Sequence, residues 1–191
     1  MHIFLQKYFF INKFDTKILD HQESGTTIIY RNYQTNKVDL KCIIKLRNYC
    51  KINKFKFLIS NNFKLALMLN LDGAYIPAFN KSMKHLNFST KENFIIIGSA
   101  HNIKQLRIKE KQRISSVVIS SLFKKNKNYL GLYKFNILKK LTKKKVICLG
   151  GINKFNINKL KFLNCDGFAG ISYFKKKGPC IRGLFHKYFS K

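Results

Sequence analysis

The stretch Val146-Ile147-Cys148-Leu149-Gly150-Gly151-Ile152-Asn153 has the residue types that an anion site needs. An apolar run of strand length stops at a glycine pair, and a helical pattern follows over 155–163. Glycines at a strand end leave backbone N–H groups bare. The start of the next helix adds unpaired N–H groups and a positive dipole end. Such a place takes an anion, most naturally a phosphate. A second unit of the same build, Asp166-Gly167-Phe168-Ala169-Gly170-Ile171-Ser172, comes next. The plain alternative for Gly150 and Gly151 is a tight turn without a ligand. His101 is the other residue whose type suggests chemistry, as a general base. No carboxylate stands near it to tune it, so a structural histidine at a strand end, holding Ser99 or a backbone carbonyl, is the stronger reading.

Composition limits what these residues serve. A chain of 191 residues with 46% hydrophobic content and 18 Phe can bury a core and is not a disordered chain. No apolar run reaches the roughly 18 residues that would span a membrane. The opening residues carry Lys7 and Lys13 and no small-residue cleavage site, so a signal peptide is not expected. Five scattered Cys without a CxxC pair read as reduced thiols, argue against zinc and place the protein in the cytoplasm. The formal net charge of +30 invites a nucleic-acid reading. The Lys residues, however, run through the whole chain beside abundant Asn, Ile and Phe, as an AT-rich coding sequence would produce. Aromatics lie inside apolar runs rather than between basic residues, unlike a stacking platform. A solvated basic surface that also draws in a phosphorylated substrate is therefore preferred to a dedicated nucleic-acid site.

The elements that must position the glycine loops alternate along the chain. Strand-like runs fall at 8–11, 26–31, 55–60, 73–77, 94–98, 116–119, 146–149 and 166–172. Helical or connector patterns fall between them: a short one within 15–25, then 38–50, 63–70, a weak one at 81–87, 103–108 capped by Asn102, 132–141 and 155–163. Ile103, Leu106 and Ile108 are expected on the inner side of the fifth of these. Near-continuous apolar strands indicate a parallel sheet covered on both faces. Eight units favour one domain over 1–191, a compact (β/α)8 TIM-type barrel, with an open doubly wound sheet as the alternative. Asp72 and Asp166 then start strands at the end remote from the glycine loops and read as turn or cap residues. Cys148 and Cys165 read as core thiols. The basic tail, 175–191, is expected to dock as a final helix.

Taken in order, seven short motifs resemble those of the thiamine phosphate synthase family and its thiazole tautomerase relatives. Tyr30-Arg31-Asn32-Tyr33 resembles that family's QLREK strand end. Leu58-Ile59-Ser60-Asn61-Asn62-Phe63-Lys64-Leu65-Ala66 resembles INDRVDLA. Asp72-Gly73-Ala74-Tyr75-Ile76-Pro77 resembles DGVHLGQ, and Ile97-Gly98-Ser99-Ala100-His101 is similar to IGvSxH. Ser120-Ser121-Leu122-Phe123 stands where GPVF is expected, with Leu130-Gly131-Leu132 in place of the following LGL. Leu149-Gly150-Gly151-Ile152 and the 166–172 unit resemble ALGGI and DGvAviS.

The resemblance implies a synthase that joins a pyrimidine diphosphate to a thiazole phosphate with loss of pyrophosphate. It implies a phosphate cradle at Gly150, Gly151, Gly170, Ile171 and Ser172. Arg31 and Ser99 are retained near the diphosphate, and His101 completes the candidate catalytic set. It implies Mg2+ if the chain acts as a synthase, and otherwise no cofactor. The family's two metal-binding carboxylates fall at Asn61 and Asn80, which bring no negative charge for a hard cation. The family's Asn before the first carboxylate is Ser60, and its REK lysine is Tyr33. A loop bearing Lys124, Lys125 and Lys127 replaces the usual Thr-x-Thr-Lys and is expected to meet a diphosphate without a metal. The tautomerase histidine falls near Ser121, so that activity is not expected. The synthase reading thus stands beside a non-catalytic paralogue that binds a phosphorylated small molecule, and beside a basic nucleic-acid-binding protein. The implied partner is a phosphorylated small molecule, not a membrane, and homo-oligomerisation is compatible with the fold.

Overall fold

The computed structural model describes residues 5–33 and 38–175. Its strands are β1 (Gln6–Ile11), β2 (Thr27–Tyr30), β3 (Lys56–Ser60), β4 (Gly73–Ile76), β5 (Ile95–Ala100), β6 (Ser116–Ser120), β7 (Lys145–Leu149) and β8 (Gly167–Gly170). Each pairs in parallel with the next, and β8 pairs with β1 in the register Gln6↔Gly167 to Phe9↔Gly170. The sheet is therefore closed, as the eight-unit reading expected, and the open-sheet alternative falls away. The helices are α1 (Thr16–Leu19), α2 (Leu40–Ile52), α3 (Phe63–Met68), α4 (Ile103–Lys111), α5 (Gly131–Lys140) and α6 (Ser172–Lys175), with 3-10 turns at Lys84–Asn87 and Ile157–Leu163.

Because successive side chains of a strand point to opposite faces, each strand feeds two cores. Phe10, Ile29, Leu58, Tyr75, Ile97, Val118, Ile147 and Ala169, one from every strand, fill the barrel's middle layer. Their neighbours Phe9, Ile28, Phe57, Ala74, Val117, Cys148 and Phe168 face outward and pack with the helices. Side-chain oxygens start four of the helices. Asp15, Asp39, Asn62 and Asn102 accept from the N–H three residues on, at 3.4, 2.9, 3.0 and 3.0 Å, satisfying donors that the helix cannot. Asp72 and Asp166 lie at the N-terminal end of the barrel. Their Oδ2 atoms accept from the N–H of Phe57 and Val146 at 2.8 and 2.7 Å, which agrees with their reading as caps.

Three local expectations are corrected. The helix expected over 155–163 is a 3-10 turn, Ile157–Leu163. Asn153 and Asn156 account for the later start: their side chains take the N–H groups of residues 153, 155 and 156 and close a turn there, so the helical segment begins only at Ile157. The strand expected to end at Gly98 runs on to Ala100. Gly98 stands inside it because a Cβ there would come within 3.0 Å of Ile114 and of the Lys109 stem. On α4, Ile103 is exposed, whereas Lys109 is fully buried; its aliphatic stem occupies the room left by Gly98. The C-terminal helix expected over 175–191 lies, past Lys175, outside the described residues.

Candidate active site

The C-terminal ends of the strands bring the two glycine units together. Gly150 and Gly151 have φ of 110° and 75°, a region that L side chains rarely adopt. The space around them is equally restrictive. A Cβ on Gly150 would lie 2.3 Å from Ser121 Oγ, and one on Gly151 would lie 2.7 Å from the Lys124 nitrogen. The loop after β7 is therefore pressed against the loop after β6. Leu122 N–H donates to Leu149 O at 2.9 Å, and Phe123 and Lys124 N–H both donate to Gly150 O, at 2.8 and 3.2 Å. Ser121 Oγ donates to Lys124 O at 2.8 Å and ties the lysine loop at its base. Lys124, Lys125 and Lys127 are exposed on this loop, next to the glycine pair. The glycines thus form a tight turn packed against the backbone at the start of the lysine loop, a combination that spacing alone could not reveal.

Asn156 fixes the other side of the turn. Its Nδ2 donates to Gly151 O at 2.8 Å, while its Oδ1 accepts from Asn153 N–H at 2.9 Å. Ile152 O would lie 4.0 Å from a Cβ on Gly170, so the loops after β7 and β8 run side by side. Ser172 opens α6. Ile171 is partly exposed and shares a cavity of about 200 Å3 with Phe10, Asn12, Lys13 and Arg31. Five of the predicted residues, Arg31, Gly150, Gly151, Gly170 and Ile171, are therefore neighbours at one rim.

Arg31 is held rather than free. Its guanidinium stands over the Phe10 ring, 4.6 Å from the centroid, and 5.9 Å from that of Tyr33. The Tyr75 hydroxyl lies close enough to Ser99 and Arg31 to feel both. Burial pushes the Tyr75 hydroxyl up to about 12, with the Ser99 and Arg31 hydrogen bonds pulling the other way. It therefore stays protonated, a neutral hydroxyl between Ser99 and Arg31. Tyr33 shares a 2.8 Å hydrogen bond with Ser60 and packs edge-on against Phe79. Sequence reading missed Tyr75 and Asn156. The structure puts Tyr75 in the inner layer of the barrel, and nothing in spacing marked its hydroxyl as a neighbour of Ser99 and Arg31.

Asn61 and Asn80, distant in sequence, meet directly. Asn80 Nδ2 donates to Asn61 Oδ1 at 2.5 Å, and Asn80 Oδ1 accepts from Ser82 N–H at 2.8 Å. Asn61 has φ 60°, which Asn tolerates better than most residues. Both carbonyl oxygens are already engaged, and neither residue carries charge. Among the described residues no three His, Cys, Asp or Glu gather into a metal-binding group. The donor set here does not fit a protein-held magnesium ion, which asks for charged oxygen ligands.

His101 Nδ1 is within 2.8 Å of Ser120 O and 3.1 Å of Ser120 Oγ, and the His101 backbone N–H donates to Gln105 Oε1 at 2.8 Å. These contacts join the ends of β5 and β6. Asn presents an amide nitrogen near the position of Nδ1. His101→Asn is therefore expected to cost about 1 kcal/mol or less in urea denaturation and to change ligand affinity little. A loss of all turnover with unchanged affinity and stability would instead make His101 a proton carrier.

The comparisons with known proteins give the family and the fold. The family model for thiamine monophosphate synthase matches residues 14–174. A thiamine-phosphate synthase of Prochlorococcus marinus is 29% identical over 143 residues, spanning 72% of this chain and 41% of that protein. One from Clostridioides difficile is 27% identical over 137 residues, spanning 70% of this chain and 65% of the relative. The match thus spans less than half of the first relative and under two thirds of the second. In three dimensions, thiamine phosphate pyrophosphorylase from Pyrococcus furiosus superimposes with a TM-score of 0.73 at 19% identity, covering 97% of both chains. At that identity the superposition speaks for the barrel alone. Together with the adjoining glycine loops, the family match places this chain in the thiamine monophosphate synthase family.

Proposed function

We propose that this chain is a thiamine phosphate synthase-type transferase, acting as one barrel unit over 1–191 in the cytoplasm on phosphorylated small molecules. The observation that carries the reading is the shared rim. The Gly150-Gly151 turn, Gly170, Ile171 and the lysine loop adjoin one another, and Arg31 stands across a cavity from Ile171. In this reading Gly150, Gly151, Gly170, Ile171 and Ser172 cradle the thiazole phosphate through backbone N–H groups. Arg31, Ser99 and the Lys124, Lys125 and Lys127 side chains face the pyrimidine diphosphate. The bond from the pyrimidine-bearing carbon to the diphosphate oxygen breaks, and its electron pair leaves on that oxygen as pyrophosphate. A lone pair of the thiazole forms the new bond to carbon. Negative charge grows on the departing diphosphate, where preorganised cations lower the barrier. Magnesium is the cofactor that family membership suggests. Asn61 and Asn80 do not suit it, and no step is assigned to it.

A second reading is favoured by the Asn61–Asn80 hydrogen bond: a paralogue that binds thiazole phosphate without turning it over. A nucleic-acid role is not carried by any feature of the rim. Among the described residues no helix is long and apolar enough to cross a membrane. A turnover assay separates the readings. Purified protein is incubated with both substrates, with Mg2+ or with a chelator, and thiamine phosphate is measured. Product in either condition is the expected result. Thermal stabilisation by thiazole phosphate without product would replace the transferase with the binding paralogue. Silence in both readouts would overturn the cradle.

A further inference from the structure

The Lys109 ammonium lies directly behind the amide pair. Lys109 is 0% exposed. Its Nζ donates to Asn80 O at 2.6 Å and to Gln112 Oε1 at 2.9 Å. Gln112 in turn donates from Nε2 to Asn80 O at 3.1 Å and to Ser82 O at 2.8 Å, and His85 Nε2 donates to Gln112 O at 2.9 Å. The loop that carries Asn80 is thus clamped by one cation and one amide. The ion pairs found among the described residues are Lys7–Glu23 and Arg107–Glu110, so Glu110, the acid next to Lys109 in sequence, is turned towards Arg107. A buried ammonium without a carboxylate is costly, and filling the space beside Gly98 would need only an apolar side chain. The charge itself calls for a reason.

We propose that Lys109 is a positioning residue that has taken the electrostatic place of a divalent cation, so that the Asn61–Asn80 end of the barrel receives a diphosphate without a protein-held metal. Two effects act together. A fixed positive charge, little screened by water, opposes a second cation on Asn80 and favours an anion in front of it. The same ammonium, with Gln112, holds the Asn80 backbone in place. The Asn80 side chain is thereby kept against Asn61, with both amide oxygens spent on protein N–H groups. The inference rests on the proposed function only for the identity of the diphosphate. The metal experiment below needs no turnover, so failure of one is distinguishable from failure of the other.

The test is Mn2+ binding followed by electron paramagnetic resonance, with inorganic pyrophosphate titrated calorimetrically in the presence of a chelator. The wild-type chain is expected to bind pyrophosphate in chelator and to hold no stoichiometric Mn2+ at millimolar metal. Asn61→Asp with Asn80→Asp is expected to create a Mn2+ site, and adding Lys109→Met to tighten it by about fivefold or more. Lys109→Met alone is expected to weaken pyrophosphate by a similar factor. Stoichiometric Mn2+ on the wild-type chain, or pyrophosphate binding that vanishes with chelator, would overturn the proposal. So would a triple variant that binds Mn2+ no better than the double. If Lys109→Met does not fold, Lys109→Gln removes the charge while keeping a donor for the Asn80 carbonyl, and the same comparisons apply.

Discussion

Gly150→Ala is expected to destabilise the protein by about 3 kcal/mol or more and to weaken thiazole phosphate binding by at least about tenfold. Two costs combine. The backbone at φ 110° is strained for any residue with a Cβ. That Cβ would also meet Ser121 Oγ at 2.3 Å, Ser121 Cα at 2.9 Å and Leu122 N at 3.0 Å. Rotating the Ser121 hydroxyl away relieves only the first contact, because the other two are backbone. Any backbone shift then disturbs Gly150 O, which accepts from both Phe123 and Lys124, and so moves the lysine loop. Gly170→Ala provides the contrast. Its nearest neighbours would be Tyr173 Cβ at 3.7 Å and Ile152 O at 4.0 Å, which is ordinary contact. It is expected to change stability by about 1 kcal/mol or less while still weakening the phosphate ligand, because the new methyl stands in the cradle. Urea denaturation and calorimetric titration of both variants check this. A Gly150→Ala protein as stable as the wild type would refute the close approach of the two loops.

Lys109→Met is expected to stabilise the protein near pH 7 and to lose that advantage in alkali. Burial pushes the Lys109 ammonium down from 10.5 to about 8. Below pH 8 both the folded and unfolded chains carry the proton, and the folded chain bears the full cost of burying it. That cost is about 3 kcal/mol at 1.36 kcal/mol for each unit of displacement. Between pH 8 and 10.5 the folded chain releases the proton first, so the folded state gains stability as pH rises. Above 10.5 both are neutral and the difference has gone. Methionine escapes the cost but forgoes the hydrogen bonds to Asn80 O and Gln112 Oε1, roughly 1 kcal/mol each. The net gain at pH 7 is therefore expected to be about 1 kcal/mol, reversing to a loss by pH 10.5. Denaturation of wild type and variant at pH 7, 9 and 10.5 reads it. Other lysines also titrate in alkali, so the decisive quantity is the difference between the two proteins. A difference that does not change with pH would mean that Lys109 is not charged in its buried position.

The barrel was legible because its signal is periodic and repeated. Runs such as Phe94-Ile95-Ile96-Ile97 and Val146-Ile147-Cys148-Leu149 are apolar on both faces, as only strands covered inside and outside need to be. The segment 155–163 was misread at its start for a physical reason: its apolar spacing is helical, but Asn153 and Asn156 spend their side chains on a local turn, and the helical part, of 3-10 type, begins at Ile157. Lys109 was missed because a lysine on a helix is normally solvated. Only its place opposite Gly98 drew it in.

By itself, then, the sequence determined the order of the strands, the glycine-ended loops after β7 and β8, and the replacement of two carboxylates by Asn61 and Asn80. These are properties of local residue type and period, which the chain carries wherever it goes. The tertiary structure decided which of those residues meet. It pressed Gly150 and Gly151 against the lysine loop, set the Tyr75 hydroxyl near Ser99 and Arg31, closed Asn61 on Asn80, and buried the Lys109 ammonium against the Asn80 carbonyl. Such contacts join residues 19 to 44 positions apart where they join Asn61 to Asn80, Lys109 to Asn80 and Tyr75 to Arg31. They depend on how the closed barrel sets its loops side by side and on the room left by a few glycines, which no local pattern encodes.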